Sequence, residues 1–177
     1  MKRVTRTTVI LNEDDKKFLE RLIADGREPS IKSFLSKMFD VYRSMAVYDW
    51  KYPGEYYVGP SRIALISQET INSLLQYMPA EKRRDTGKIV GLAMRIPVSA
   101  RIDVNPTTKE NLGAVFKHLR LLGYGDITQR ESLIMVKNPF LTDIDFFVGL
   151  LEGLTDQTLQ IRATQPLVME ITASTST

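Results

Sequence analysis

Three cations crowd the start of this chain: Lys2, Arg3 and Arg6 fall within the first ten residues, with no acid among them. A cluster of that kind binds anions, and nucleic acid is the first candidate. Little else in the sequence offers chemistry. The absence of cysteine removes disulfides, thiolate zinc sites and cysteine nucleophiles. A single histidine, His118, leaves histidine metal clusters and serine-type triads without parts. No nucleophile–base pair and no phosphate loop is present, so the expectation is a binding protein rather than an enzyme, with no cofactor and no metal.

The other singular residues read as structural. His118 stands beside the apolar stripe of its helix, which suits a solvated or locally bonded role. Lys82-Arg83-Arg84 reads as a solvated loop or helix end, and Asp143 and Asp145 suit the positive end of a helix dipole. Met135 and Met169 read as core residues.

The elements that must carry the basic cluster come next. Val4 to Leu11 is rich in Thr and β-branched residues and predicts a short strand. Alternation puts Thr7, Val9 and Leu11 on one face and Arg6, Thr8 and Ile10 on the other. Asn12 is placed to cap a helix whose first turn holds Glu13, Asp14 and Asp15. Phe18, Leu19, Leu22 and Ile23 give it an apolar stripe, and Gly26 suits its end. Ser30 caps a second helix with a longer stripe: Ile31, Phe34, Leu35, Met38, Phe39, Tyr42 and Met45. Strand, helix and helix therefore follow one another within residues 1–48. So short a unit buries too little surface to stand alone, and its strand has no partner. Pairing two copies across a two-fold axis answers both problems.

Residues 49–60 form a connector by their Pro and Gly content, but Trp50, Tyr52, Tyr56 and Tyr57 make it too aromatic for a free linker. Residues 61–172 read as a second domain, and 173–177 as a disordered tail. Within that domain Ile63 to Tyr77 and Arg84 to Met94 predict helices, and Arg101 to Val104 a strand. Thr107 to Leu122 predicts an amphipathic helix. Strands follow at Ile127–Thr128 and Leu133 to Lys137. Thr142 to Leu154 predicts a helix apolar on nearly every side, hence buried or lining a cavity. Strands at Leu159 to Ala163 and Leu167 to Thr172 close the domain. The fold class expected is α+β, a mixed α/β domain behind a small dimerisation module.

The first quarter of the chain resembles the ribbon-helix-helix repressors, the methionine-repressor-like family. The resemblance rests on Arg6-Thr7-Thr8-Val9-Ile10-Leu11-Asn12, the Phe18-Leu19 and Leu22-Ile23 pairs, Gly26, Ser30 and the second helix. It implies a two-stranded ribbon lying in the major groove of double-stranded DNA, with Arg6, Thr8 and Ile10 facing the bases. Arg forks onto guanine, Thr serves a hydrogen bond or a methyl contact, and Ile meets only a thymine methyl. Ile10 occupies a position that is usually polar in the family. The resemblance also implies a phosphate clamp at Ser30, helped by Lys32, with Lys2 and Arg3 adding backbone contacts. Glu28 and Pro29 stand where a shorter Gly-x-Ser turn is common.

A weaker resemblance links residues 60–172 to the ligand-binding fold of vinyl-reductase-type sensor domains and TRAPP-like subunits. It rests on Gly87-Lys88-Ile89-Val90-Gly91, Gly123-Tyr124-Gly125-Asp126, Val136-Lys137-Asn138-Pro139-Phe140 and Phe146-Phe147-x-Gly149-Leu150-Leu151-x-Gly153. Its two Gly-x-x-x-Gly spacings let helices approach closely. The function expected is a cytoplasmic transcription regulator, a homodimer with a tetramer as the further option, whose second domain takes a small apolar ligand or builds oligomers. The alternative is an antitoxin or plasmid-partition protein using the same DNA module. No membrane span is expected, because charges, Gly or Pro break every apolar stretch.

Overall fold

The computed structural model describes residues 8–51, 53–58 and 60–172. The chain divides into two compact units, residues 1–44 and 45–177. Both helices and strands are present, as an α+β class requires. Among the described residues no helix is long and apolar enough to cross a membrane.

The first unit is a helical hairpin, α1 (Glu13–Ala24) and α2 (Ile31–Ser44). The Asn12 side chain accepts the Asp15 N–H at 2.8 Å and so caps α1. The helix stops where Gly26 turns to φ +67, and Arg27 N–H closes back on Leu22 O at 3.0 Å. Ser30 Oγ accepts the Ser33 N–H at 3.1 Å and opens α2. The strand expected before α1 is absent over Thr8–Leu11, which form neither strand nor helix; its earlier residues, Val4–Thr7, lie outside the described part. A ladder needs a second strand, and among the described residues none pairs with this segment.

The second unit begins with a short 3-10 turn, Val47–Asp49, and a hairpin of β1 (Tyr56–Val58) and β2 (Ser61–Ile63). The expected connector is thus folded, and Ile63 ends a strand instead of starting a helix. Trp50 Nε1–H donates to Tyr57 O at 2.7 Å, and its ring meets Tyr56 edge-on at 4.8 Å. After α3 (Gln68–Gln76) comes α4 (Ala80–Ile102), a helix of 23 residues that runs through Pro97. The strand expected at Arg101–Val104 is therefore the end of α4, which stops at Asp103 in the left-handed region.

Next in order are α5 (Leu112–Leu121), β3 (Asp126–Arg130), β4 (Leu133–Lys137), α6 (Ile144–Thr155), β5 (Thr158–Thr164) and β6 (Leu167–Thr172). The four strands form an antiparallel sheet in the order β3-β4-β6-β5. One face carries Ile127, Ile134, Val136, Leu159, Leu167 and Met169 into the core with Leu112, Phe116, Phe147 and Leu151. The other face is open to solvent, and Met135 lies there with Leu133 rather than in the core. Alternation along β4 sends neighbours to opposite faces, so Met135 and Val136 cannot both be inside.

Helix α6 is buried at every position from Phe146 to Thr155. Its four-residue glycine spacing meets that of α4 backbone to backbone. A Cβ on Gly87 would lie 2.2 Å from Phe146 O, and one on Gly91 2.1 Å from Leu150 O. From the other side, Gly149 and Gly153 admit the carbonyls of Arg84 and Lys88 equally closely. Only glycine permits this approach.

Candidate functional site

In the first unit the structure leaves an apolar surface uncovered. No residue of α2 is buried, although its stripe of Ile31, Phe34, Leu35, Met38 and Tyr42 runs its whole length. Phe39 is 61% exposed, and Ile31, Met38, Val41 and Tyr42 are exposed beside it. Leu19 is the one buried residue of α1, while Phe18 is exposed.

Of the residues expected to contact DNA, Lys2, Arg3 and Arg6 lie outside the described part. Thr8 and Ile10 are exposed in the segment before α1, Ile10 almost completely at 94%. Ser30 and Lys32 are exposed at the start of α2. The Ser30 hydroxyl accepts the Ser33 N–H and keeps its own hydrogen to donate, so the donors at that end are the Ser30 O–H, backbone N–H groups and the Lys32 ammonium. Glu28, an acid close to that end in sequence, is buried and gives its carboxylate to Lys37 at 2.7 Å. The pairing offsets the charge that would repel an anion there.

No family model, curated protein or solved structure matches this chain.

That unit holds an apolar groove of about 780 Å³. Ile71 and Leu75 of α3, Val90 of α4 and Phe146 and Leu150 of α6 line it, together with Leu122–Tyr124 and Phe140–Leu141. Residues 63–67 and Met45 complete it. Its position is fixed by polar clips: Gln68 Nε2 donates to Phe140 O at 2.9 Å, and Asn72 joins Phe140 O and Thr142 N–H. These hold α3 on the loop before α6. Two lining side chains carry a hydroxyl. Ser67 Oγ accepts the Thr70 N–H as the cap of α3, and burial pushes the Tyr124 hydroxyl ionisation up. Among the described residues no charged side chain lines the groove. Volumes of 300–1,000 Å³, mostly apolar with few polar groups, are usual for small-molecule sites.

Between α4, α6 and the start of β5 lies an ionic node that sequence reasoning missed. Glu152 of α6 is buried, and Arg84 of α4 forks onto it at 3.0 and 2.6 Å. Lys88 approaches at 3.3 Å, and Glu152 also accepts the Leu159 N–H at 3.0 Å. Burial alone would raise this carboxyl, but the Arg84 and Leu159 hydrogen bonds and the Arg84 and Lys88 charges outweigh it and hold it below its usual range. Arg83 pairs with Asp143 at 2.6 Å, where Asp143 also caps α6. The basic triplet therefore lies at the N-terminal end of α4, as the helix-end alternative has it, but two of its three cations turn inward and only Lys82 is exposed. Among the described residues no cluster of His, Asp and Glu is placed to hold a metal ion.

His118 is buried, not solvated. Desolvation and the nearby Arg101 charge lower its pKa. Helix α5 is covered over a wider arc than its Leu112, Val115, Phe116 and Leu119 stripe indicates, and His118 falls inside that arc.

Proposed function

We propose that the chain is a homodimeric, sequence-specific DNA-binding transcription regulator of the ribbon-helix-helix kind, acting in the cytoplasm. Its second unit is the sensor. The observation that carries the reading is α2, which in a single chain buries none of its residues despite a full-length apolar stripe. A surface of that size on a two-helix unit calls for a second copy. With two copies, the segments holding Arg6, Thr8 and Ile10 pair as a ribbon, and the basic arm meets the DNA backbone. The apolar groove of the second unit then takes an uncharged, apolar effector, since its described lining holds no charge to receive an ionic one.

Selection of bound fragments from a pool of random duplexes, using the full chain, tests the reading. A common sequence with two-fold symmetry should emerge. Arg6→Ala should then weaken that fragment by about 1–3 kcal/mol and relax one base position per half-site. Lys2→Ala should weaken all duplexes alike and flatten the salt slope by about one unit. Recovery of no preferred sequence defeats the proposal.

A further inference from the structure

The outward side of α4 carries a second uncovered apolar surface, far along the chain from α2. Ile89, Leu92 and Ile96 are 66%, 49% and 80% exposed there, with Ala93 and Ala100 exposed beside them. The charged residues of this stretch are engaged away from it. Lys88 and Arg95 reach Glu152 and Asp156, and the charge of Arg101 acts on His118. From Ile89 to Ala100 the outward face is uncharged.

The pattern along that face identifies its partner. Lys82, Ile89 and Ile96 are spaced by seven residues and so share one seam of α4, and Asp103, the residue that caps the helix, follows seven residues beyond Ile96. Read backwards, the seam is complementary to itself. When two such helices run antiparallel about an axis beside Leu92 and Ala93, Ile89 meets Ile96 of the second copy. Lys82 then meets Asp103 at each end. Both charged residues are exposed. Ala93 and Ala100 are small enough to let the backbones approach. A two-fold interface requires a patch that matches itself in this manner, and an unrelated partner would have no need of the match.

We propose that α4 pairs antiparallel with α4 of a second copy, so that the second unit carries a dimer interface of its own. The proposal stands on this unit alone and does not depend on DNA binding.

The absence of cysteine makes the test direct, because any introduced thiol is the only one. In the full chain, Ala93→Cys places two thiols about 1.5 Å apart along the helix axes, whereas Ala100→Cys places them about 22 Å apart. A disulfide needs Cα atoms within about 7 Å. At micromolar chain, Ala93→Cys should form a cross-linked dimer at least about tenfold faster than Ala100→Cys. The Asp85→Cys/Ala100→Cys double variant should cross-link as Ala93→Cys does, because those positions face each other across the axis. Ile96→Lys added to Ala93→Cys should abolish the advantage, with the helical content of every variant checked by circular dichroism. Equal rates for Ala93→Cys and Ala100→Cys would mean random collision or parallel alignment and would overturn the pairing, as would no cross-link at all. A chain dimerised solely through α1 and α2 keeps its dimeric mass but lacks this positional pattern, so the two interfaces fail separately.

Discussion

At the scale of single residues, the second unit is held by one acid. Glu152 ties α4, α6 and the start of β5 together through Arg84, Lys88 and the Leu159 N–H. Glu152→Gln should cost about 1.5–3 kcal/mol, the range for hydrogen bonds to charged groups, read from urea unfolding. The pH dependence has two parts with the same sign. Glu152 has a lowered folded pKa, so its contribution is complete above the unfolded value of about 4.3 and is lost as pH falls through the folded one. His118 is also lowered, so the unfolded chain takes up its proton first, and stability begins to fall below about pH 6.5. His118 is the sole histidine, which lets its imidazole proton resonances be followed without assignment. Their midpoint should lie below 6.5, and a midpoint at or above it would contradict the burial. Neither residue was legible in advance. An acid inside an apolar helix gives no sign that its partner lies 68 residues earlier, and a histidine beside a stripe looks the same whether one or two layers cover its helix.

At the scale of elements, legibility tracked the length of the pattern. The helices α1, α2 and α6 and the strands β4 to β6 were readable, because each repeats its period several times or carries its caps in sequence: Asn12, Ser30 and Asp143. The hairpin of β1 and β2 was not, since three residues a strand give no alternation to count. The helix expected to end at Met94 runs on through Pro97 to Ile102. Proline normally ends a helix, at a cost of about 3 kcal/mol inside one, yet α4 continues, with Met94 packed against the core and Val98 within it. The glycine spacing was the most informative signal, and it yields a paired prediction. Gly91→Ala must displace backbone, because its Cβ would sit 2.1 Å from Leu150 O. It should destabilise by at least about 1–3 kcal/mol, the cost of overpacking, despite alanine's better helix propensity. Gly113→Ala has nothing within 4 Å of the new Cβ and should stabilise by about 0.5 kcal/mol. Thermal melts of the two variants at one chain concentration check both signs. Stabilisation by Gly91→Ala would mean that α4 and α6 do not touch.

At the scale of the whole molecule, the proposed regulator makes stability depend on concentration and DNA affinity on the occupant of a groove. If α2 is covered only by a second copy, each tenfold dilution removes about 1.4 kcal/mol from the folded dimer, and the melting temperature falls with it. A melting curve independent of dilution, with monomeric mass, would remove the basis for a ribbon. The groove supplies the second dependence. Met45 follows α2 directly in sequence and lines the groove, as do Ile63–Ser67. An occupant that orders these residues acts on chain next in sequence to α2 of the proposed DNA-binding unit. Trp50 and Tyr56 stiffen the intervening hairpin through their ring contact and the Trp50 bond to Tyr57 O. Coupling between two such sites is typically worth about 1–3 kcal/mol, a five- to 150-fold change in affinity. The full chain stripped of small molecules by organic extraction and refolded should therefore bind the selected duplex with altered affinity, and a medium-chain alcohol added back should reverse the change. Val90→Arg, at the groove, should leave the stripped protein's DNA binding intact and abolish the response to the alcohol, because an unpaired cation beside apolar walls excludes an apolar guest. If the stripped and reloaded proteins bind DNA identically while native mass spectrometry shows the alcohol bound, the groove is a ligand site without regulatory effect, and the sensor reading fails even though the DNA reading stands.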